Sequence, residues 1–178
     1  GFDLMTGTVA GFDTGYWQAQ AIPGPTEDDA LTNLFQLAFS RITGISGPLV
    51  RPMWQQKPPA QPTGDTNWVA LGIASREPIG YVYLTPSSDI SLQSQRHEYL
   101  YLTAMFYGPD ADANAGVLRD GLAIPNNWWY LNDYGIRYHE VGETILVPYE
   151  VNGQCLGRCD LPLLVVRPPN REYASPAP

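Results

Sequence analysis

Few residues of this 178-residue chain are equipped for nucleophilic or acid–base chemistry, and their spacing speaks against it. Cys155 and Cys159 are separated by three residues in a segment that reads as a strand. At about 3.3 Å per residue they lie roughly 13 Å apart, beyond the ~7 Å reach of a disulfide, so free thiols are expected. No G-x-S-x-G elbow is present, and a thiol on a hairpin strand usually packs instead of reacting. His97 and Glu98 adjoin on a strand entrance, where neighbouring side chains face opposite sides and cannot serve one site. His97 and His139, the only histidines, have no finger-like spacing to the cysteines, so no metal site is expected.

Paired carboxylates occur at Asp28/Asp29, Asp110/Asp112 and Glu140/Glu143, and a pair is what a glycosidase would need. The first two pairs sit at expected helix starts, where the helix dipole accounts for them. Asp110-Ala-Asp-Ala-Asn114 resembles the opening of a calcium loop but lacks the glycine and distal glutamate at the required offsets. No glycine motif suited to cradling phosphate follows a strand, so no cofactor is expected. Trp128, Trp129 and Tyr130 form the one aromatic cluster. Successive helical residues differ by about 100°, so these three cannot all face one core, and at least one is left for a partner.

These residues need elements to hold them. Residues 1–25 read as an extended arm ending in Ile22-Pro23-Gly24-Pro25. Thr26-Glu27-Asp28-Asp29 has the hydroxyl-to-carboxylate spacing of a helix start. Leu31, Leu34, Phe35, Ala38 and Ile42 then mark a buried face, broadened by Leu37 and Phe39, and Gly44 ends the helix. The prolines from Pro48 to Asp65 predict a long extended loop, a feature that is usually functional. Two strands are expected at Trp68–Ser75 and Ile79–Thr85, broken around Arg76-Glu77-Pro78. His97–Tyr107 is the clearest strand. Leu100, Leu102, Ala104 and Phe106 alternate with Tyr99, Tyr101, Thr103, Met105 and Tyr107, giving one core face and one interfacial face. Asp110–Leu122 reads as a helix burying Val117, Leu118 and Leu122, and Asn127–Tyr134 as a shorter one closed by Gly135. Glu143–Val151 and Gln154–Val166 flank Asn152-Gly153, a strong hairpin signal, while Pro148 and Pro162 suggest bulges or a free edge. The expected fold is therefore α+β, a mostly antiparallel sheet with two or three helices packed on it. It comprises one domain over 26–167, with an arm at 1–25 and an exposed Pro-rich tail at 168–178.

Charged residues are 16% of the chain, below the roughly 25% usual for soluble domains, while tyrosine and tryptophan are plentiful. Much of the surface is then expected to be covered by partners. A net charge of −8 argues against gripping nucleic acid, and no run approaches the ~18 apolar residues of a membrane span. With no basic segment leading into an apolar one at the start, a soluble protein without an export signal is expected.

The ordered segments LVRPMWQQKPPAQPTGDTNWVALGI, HEYLYLTAMFYGPDADANAGVLRDGL, IPNNWWYL and VGETILVPYEVNGQCLGRCDLPLLVV resemble the neck or tail terminator proteins of tailed bacteriophages. The resemblance runs from about Thr26 to Arg171. It implies an α+β subunit, with helices on one side of an antiparallel sheet, assembled as a homo-oligomeric ring, most simply a hexamer, around a DNA channel. No catalytic residues come with it. It further implies a place at the virion neck, after assembly in the host cytoplasm. The partners would be a head-connector (adaptor or stopper) protein and the tail tube protein, with viral DNA passing through. The family tends to be more basic where Asn126–Tyr130 and the strand after the hairpin lie in this chain. Subunit or ring contacts are expected at Arg51, Trp54, Lys57, Pro58, Pro59, Tyr99, Tyr101, Trp128 and Trp129. Asp110, Asp112, Glu140 and Glu143 are expected to line the channel, where negative charge repels phosphate. Two other classes fit the residues less well: a carbohydrate-binding module stacking sugars on Trp128 and Trp129, and a small hydrolase.

Overall fold

The computed structural model describes residues 16–20, 24–151 and 154–175. They form two compact units. The larger comprises Thr26–Glu77 and Tyr99–Arg167, and the smaller draws on three segments within 1–25, 78–98 and 168–178.

In the larger unit, helix α1 (Asp28–Thr43) buries Leu31, Leu34, Phe35, Ala38 and Phe39, the expected face without Leu37, which is exposed. Gly44 closes it in the left-handed region at φ 78°, and its N–H bonds Ser40. The short strand β2 (Val50–Pro52) runs parallel to the beginning of β3 (Trp68–Ser88), with Val50 opposite Val69. The strand β4 (Ser91–Tyr107) lies beside β3, and its Leu100, Leu102, Ala104 and Phe106 are buried as the alternation predicts. Helix α2 (Ala111–Gly121) packs against α1, with Gly121 leaving room for the Ile42 side chain. A 3-10 turn, Pro125–Trp128, leads into the one-turn helix α3 (Trp129–Asn132). The strands β5 (Arg137–Val141) and β6 (Ile145–Val151) both pair antiparallel with β7 (Gln154–Arg167), which also pairs with β4. Residues from α1, β4, α2 and β7 share one core, where each buried Leu or Phe contributes about 1.5–3 kcal/mol. In the smaller unit β1 (Gln18–Ala19) and β8 (Asn170–Ala174) pair antiparallel, and β8 pairs with Ser91–Gln95 of β4. The fold is α+β with a mostly antiparallel sheet.

Several expectations need correction. The helix cap is Glu27, not Thr26, and no side chain caps it. The Thr26 carbonyl and the Glu27 carboxylate are occupied by Arg167 instead. The two strands expected around Pro78 are one 21-residue strand. A proline costs no ladder bond on the outer edge of a strand with a single neighbour. The expected His97 entrance is mid-strand, because β4 begins at Ser91. Val117 is exposed on α2, and Ala111 and Ala115 take the inner positions with Leu118. The expected tail contains β8. Within the expected Pro48–Asp65 loop, Gly47–Leu49 forms a 3-10 turn and Val50–Pro52 an edge strand. Parallel neighbours cannot be joined by a tight hairpin turn, and the Pro-rich stretch between β2 and β3 carries the chain back to the start of β3. Most of the expected arm, residues 1–15 and 21–23, lies outside the described residues, as do Asn152 and Gly153. The register of β6 and β7 pairs Val151 with Gln154.

Candidate functional site

The residues expected to meet partners fall on three surfaces of the larger unit. The first is built on the crossover loop. Trp54 is exposed, with its ring against Gly72, where a Cβ would stand 3.0 Å from it. Between Trp54, Gln55 and Lys57 and the first turns of α1 (Asp29, Thr32, Asn33) runs an open groove of about 690 Å³. Arg51 tethers the loop from beneath: Nη1 donates to the Ala60 carbonyl at 2.9 Å and Nε to that of Pro48 at 3.2 Å. Its guanidinium lies 5.7 Å from the Trp68 ring centroid, and Trp68 stacks on Tyr107 at 4.2 Å. Pro58 and Pro59 face Met105 and Tyr107 across a second depression. Arg51 thus holds the loop's shape, while Trp54 and Lys57 present its surface.

The second surface is the outer face of β4. Tyr99 and Tyr101 are ring neighbours at 6.4 Å, and Tyr99 also meets His139 at 5.3 Å. The Tyr101 hydroxyl donates to Glu77 at 2.6 Å. That bond holds the phenol proton, and the carboxylate repels the phenolate, so Tyr101 ionises above its ordinary value of 10.0. Ultraviolet difference titration is expected to contain a late phenol phase that Tyr101→Phe removes and Glu77→Gln moves back towards 10.0. An unchanged titration in both variants would refute the bond.

The third surface is the aromatic cluster. Trp129, Tyr130 and Tyr134 are exposed, the two tyrosines meet edge to face at 5.4 Å, and Arg41 lies 5.9 Å from the Tyr130 ring. Trp128, expected at the interface, is a core residue: it is 5% exposed and its indole N–H donates to the Leu122 carbonyl at 2.7 Å. The tight 3-10 turn aims Trp128 inward and turns Trp129 out.

The four acids expected to line a channel sit on different elements. Asp110 accepts from Asn67 Nδ2 at 2.9 Å while its own N–H donates to Asn67 Oδ1 at 2.9 Å, a reciprocal clamp across the start of α2. Asp112 is exposed beside Cys159. Glu140 borders a shallow depression with Tyr101, Gly142 and Pro162, and Glu143 is exposed between β5 and β6. The structure therefore brings Tyr101 and Glu140 together and leaves Asp110 and Asp112 on a separate element.

Cys159 is a buried free thiol; the side chain of Cys155 lies outside the described part. Burial pushes the Cys159 thiol up, and Asp112 and Asp160 push it further. In a Cys155→Ser background, Cys159 is expected to resist alkylation at pH 8 until the chain is unfolded. Prompt labelling of the native protein would contradict this.

Sequence reasoning missed an ionic cluster. Glu27 accepts from Arg76 at 2.6 Å and from Arg167 at 2.8 Å, and Arg167 Nη1 reaches the Thr26 carbonyl at 2.5 Å. The available signal was an arginine closing the apolar run Leu163–Val166. Among the described residues no group of three or more His, Cys, Asp or Glu is placed to hold a metal, and no helix is long and apolar enough to cross a membrane.

A family model described as phage neck terminator protein matches residues 29–165, the stretch that holds all three surfaces. No curated protein matches the chain.

Proposed function

The chain belongs to the phage neck terminator family, structural proteins of the bacteriophage neck, and from that premise we propose that its copies close into a ring, a hexamer, at the head-proximal end of the tail. In this reading, which a chain poor in charge and rich in exposed rings supports, the ring ends the tail tube, joins it to the head connector and lets DNA through. Assembly takes place in the host cytoplasm. The observation that carries the proposal is the family match across the whole core of the larger unit.

Six copies would bring roughly 48 formal negative charges, and those facing the lumen keep phosphate from adhering. Screening confines that effect to about 8 Å at physiological salt. Asp110 with Asp112, and Glu140 with Glu143, are the proposed lumen acids. Their positions on different elements let lysine replacements, one pair at a time, report which face meets DNA. Unchanged ejection kinetics at low and high salt for both pairs would make lumen charge irrelevant.

Electron micrographs of the purified chain, averaged for rotational symmetry, test the ring directly; a strict monomer at high concentration would overturn it. Deleting Lys57–Pro62 is expected to leave the far-ultraviolet dichroism intact and abolish assembly. The nine residues then left between β2 and β3 still reach about 30 Å, ample for the short return to the start of β3. Full assembly of the deletion variant would exclude a docking role for this loop. The burial of Trp128 takes it out of any sugar-stacking platform, which would have to use Trp129, Tyr130 and Tyr134.

A further inference from the structure

A run of exposed rings and aliphatic side chains lies on the outer half of β3, among residues none of the three surfaces uses. Tyr81 is 90% and Tyr83 66% exposed, and Val82 and Leu84, on the opposite face of the strand, are exposed as well. No residue from Pro78 to Ser88 is charged. Among the described residues β2 covers β3 only at Val69–Leu71, so the edge of β3 opposite β4 has no strand beside it further on. An edge of this kind is a template for another strand. Pro78 and Pro86 lack donors and confine pairing to Ile79–Thr85 between them.

A second open edge of like character lies on β6. Among the described residues that strand pairs with β7 alone, Ile145 and Leu146 are exposed, and Ile145–Pro148 carries no charge. Pro148 again limits how far pairing can run. Two different open edges on one chain are what a head-to-tail contact requires, and such a contact closes into a ring when its rotation allows. Chains of charge −8 repel one another, so two copies meet at least cost where both surfaces are uncharged. Tyr81 and Tyr83 alone offer roughly 300 Å² towards the ~800 Å² per partner of a standard interface.

We propose that the Ile79–Thr85 edge of β3 in one copy pairs with the Ile145–Val147 edge of β6 in the next. This rests on the ring reading and names its joint. The test uses two variants of the full chain, Tyr81→Lys with Leu84→Lys, and Ile145→Lys with Leu146→Lys, in analytical ultracentrifugation. Each variant alone is expected to sediment as the 19.7 kDa monomer. An equimolar mixture retains one intact joint and is expected to form a dimer that grows no further, which also shows that both variants are folded. If either variant alone assembles like the wild type, the proposed pairing is wrong while the ring reading stands. If both variants are monomeric and their mixture stays monomeric too, the pairing is likewise wrong. If the wild type is itself a monomer, both fall.

Discussion

Arg167→Met is expected to lower the thermal midpoint by about 5–10 °C, corresponding to roughly 2–3 kcal/mol for a chain of this size. Arg167 is 3% exposed and holds two groups, the Glu27 carboxylate and the Thr26 carbonyl. Methionine keeps much of the packing of the stem but leaves the carbonyl without this donor and the carboxylate without its more buried partner. The figure is below the ~3–5 kcal/mol of a fully buried pair because the Glu27 side chain is 26% exposed and partly screened by water. Arg76 is 35% exposed, so Arg76→Met should cost about 1 kcal/mol or less. Equal midpoints for wild type and Arg167→Met would show that the cluster contributes nothing.

The same cluster predicts a pH dependence of definite sign. Burial pushes the Glu27 carboxyl up, but the bond from Arg76 and the charges of Arg167 and Arg76 together outweigh it, and Glu27 ionises below its ordinary 4.5. A group depressed in the folded state stabilises fully above its unfolded value and loses that stabilisation as pH falls through the folded one. The midpoint difference between wild type and Glu27→Gln should therefore be steady above about pH 5.5 and shrink below 4.5. A difference that widened on acidification would mean the sign is wrong.

Gly108→Ala is the second large effect, with an expected loss of about 3 kcal/mol or more. Gly108 joins β4 to α2 at φ 107°, where an L side chain is strained. A Cβ there would stand 2.5 Å from both the Thr66 carbonyl oxygen and Asn67 Oδ1. The first is backbone and the second is held in the Asn67–Asp110 clamp, so neither yields easily. Gly80 separates the two causes: its φ is 64° but nothing lies within 4 Å of an added Cβ. Gly80→Ala should therefore cost only the backbone strain, about 1–2 kcal/mol. Denaturant unfolding of the two variants checks the ordering, and equal losses would remove the steric part.

Elements whose pattern is local and uninterrupted could be read from the chain. Leu100 to Phe106 alternate strictly, and Leu31 to Phe39 keep helical spacing, so both were legible. The strand β5 was not, because a bulge between Tyr138 and Glu140 breaks its alternation. The strands β2 and β8 are short, proline-flanked and defined by partners far along the chain, which periodicity does not carry. Among the surface residues, an outward face on β4 followed from alternation. The choice between Trp128 and Trp129 depended on a switch from 3-10 to α geometry within two residues. The Glu27–Arg167 pair joins residues 140 positions apart, a separation at which spacing holds no information.

The smaller unit draws on three separate stretches of chain, with β8 from the last stretch joined to β1 from the first and to β4 from the middle one. In hereditary terms it is not a cassette. A single recombination joint between β4 and β8 would supply β8 from one parent and both its partner strands from the other. The complementary residues on these strands, such as Ser87 with Glu172, must therefore be inherited together or change in step. The larger unit is interrupted only once, at 78–98, so a hairpin grafted there would replace none of its residues but would have to match β8.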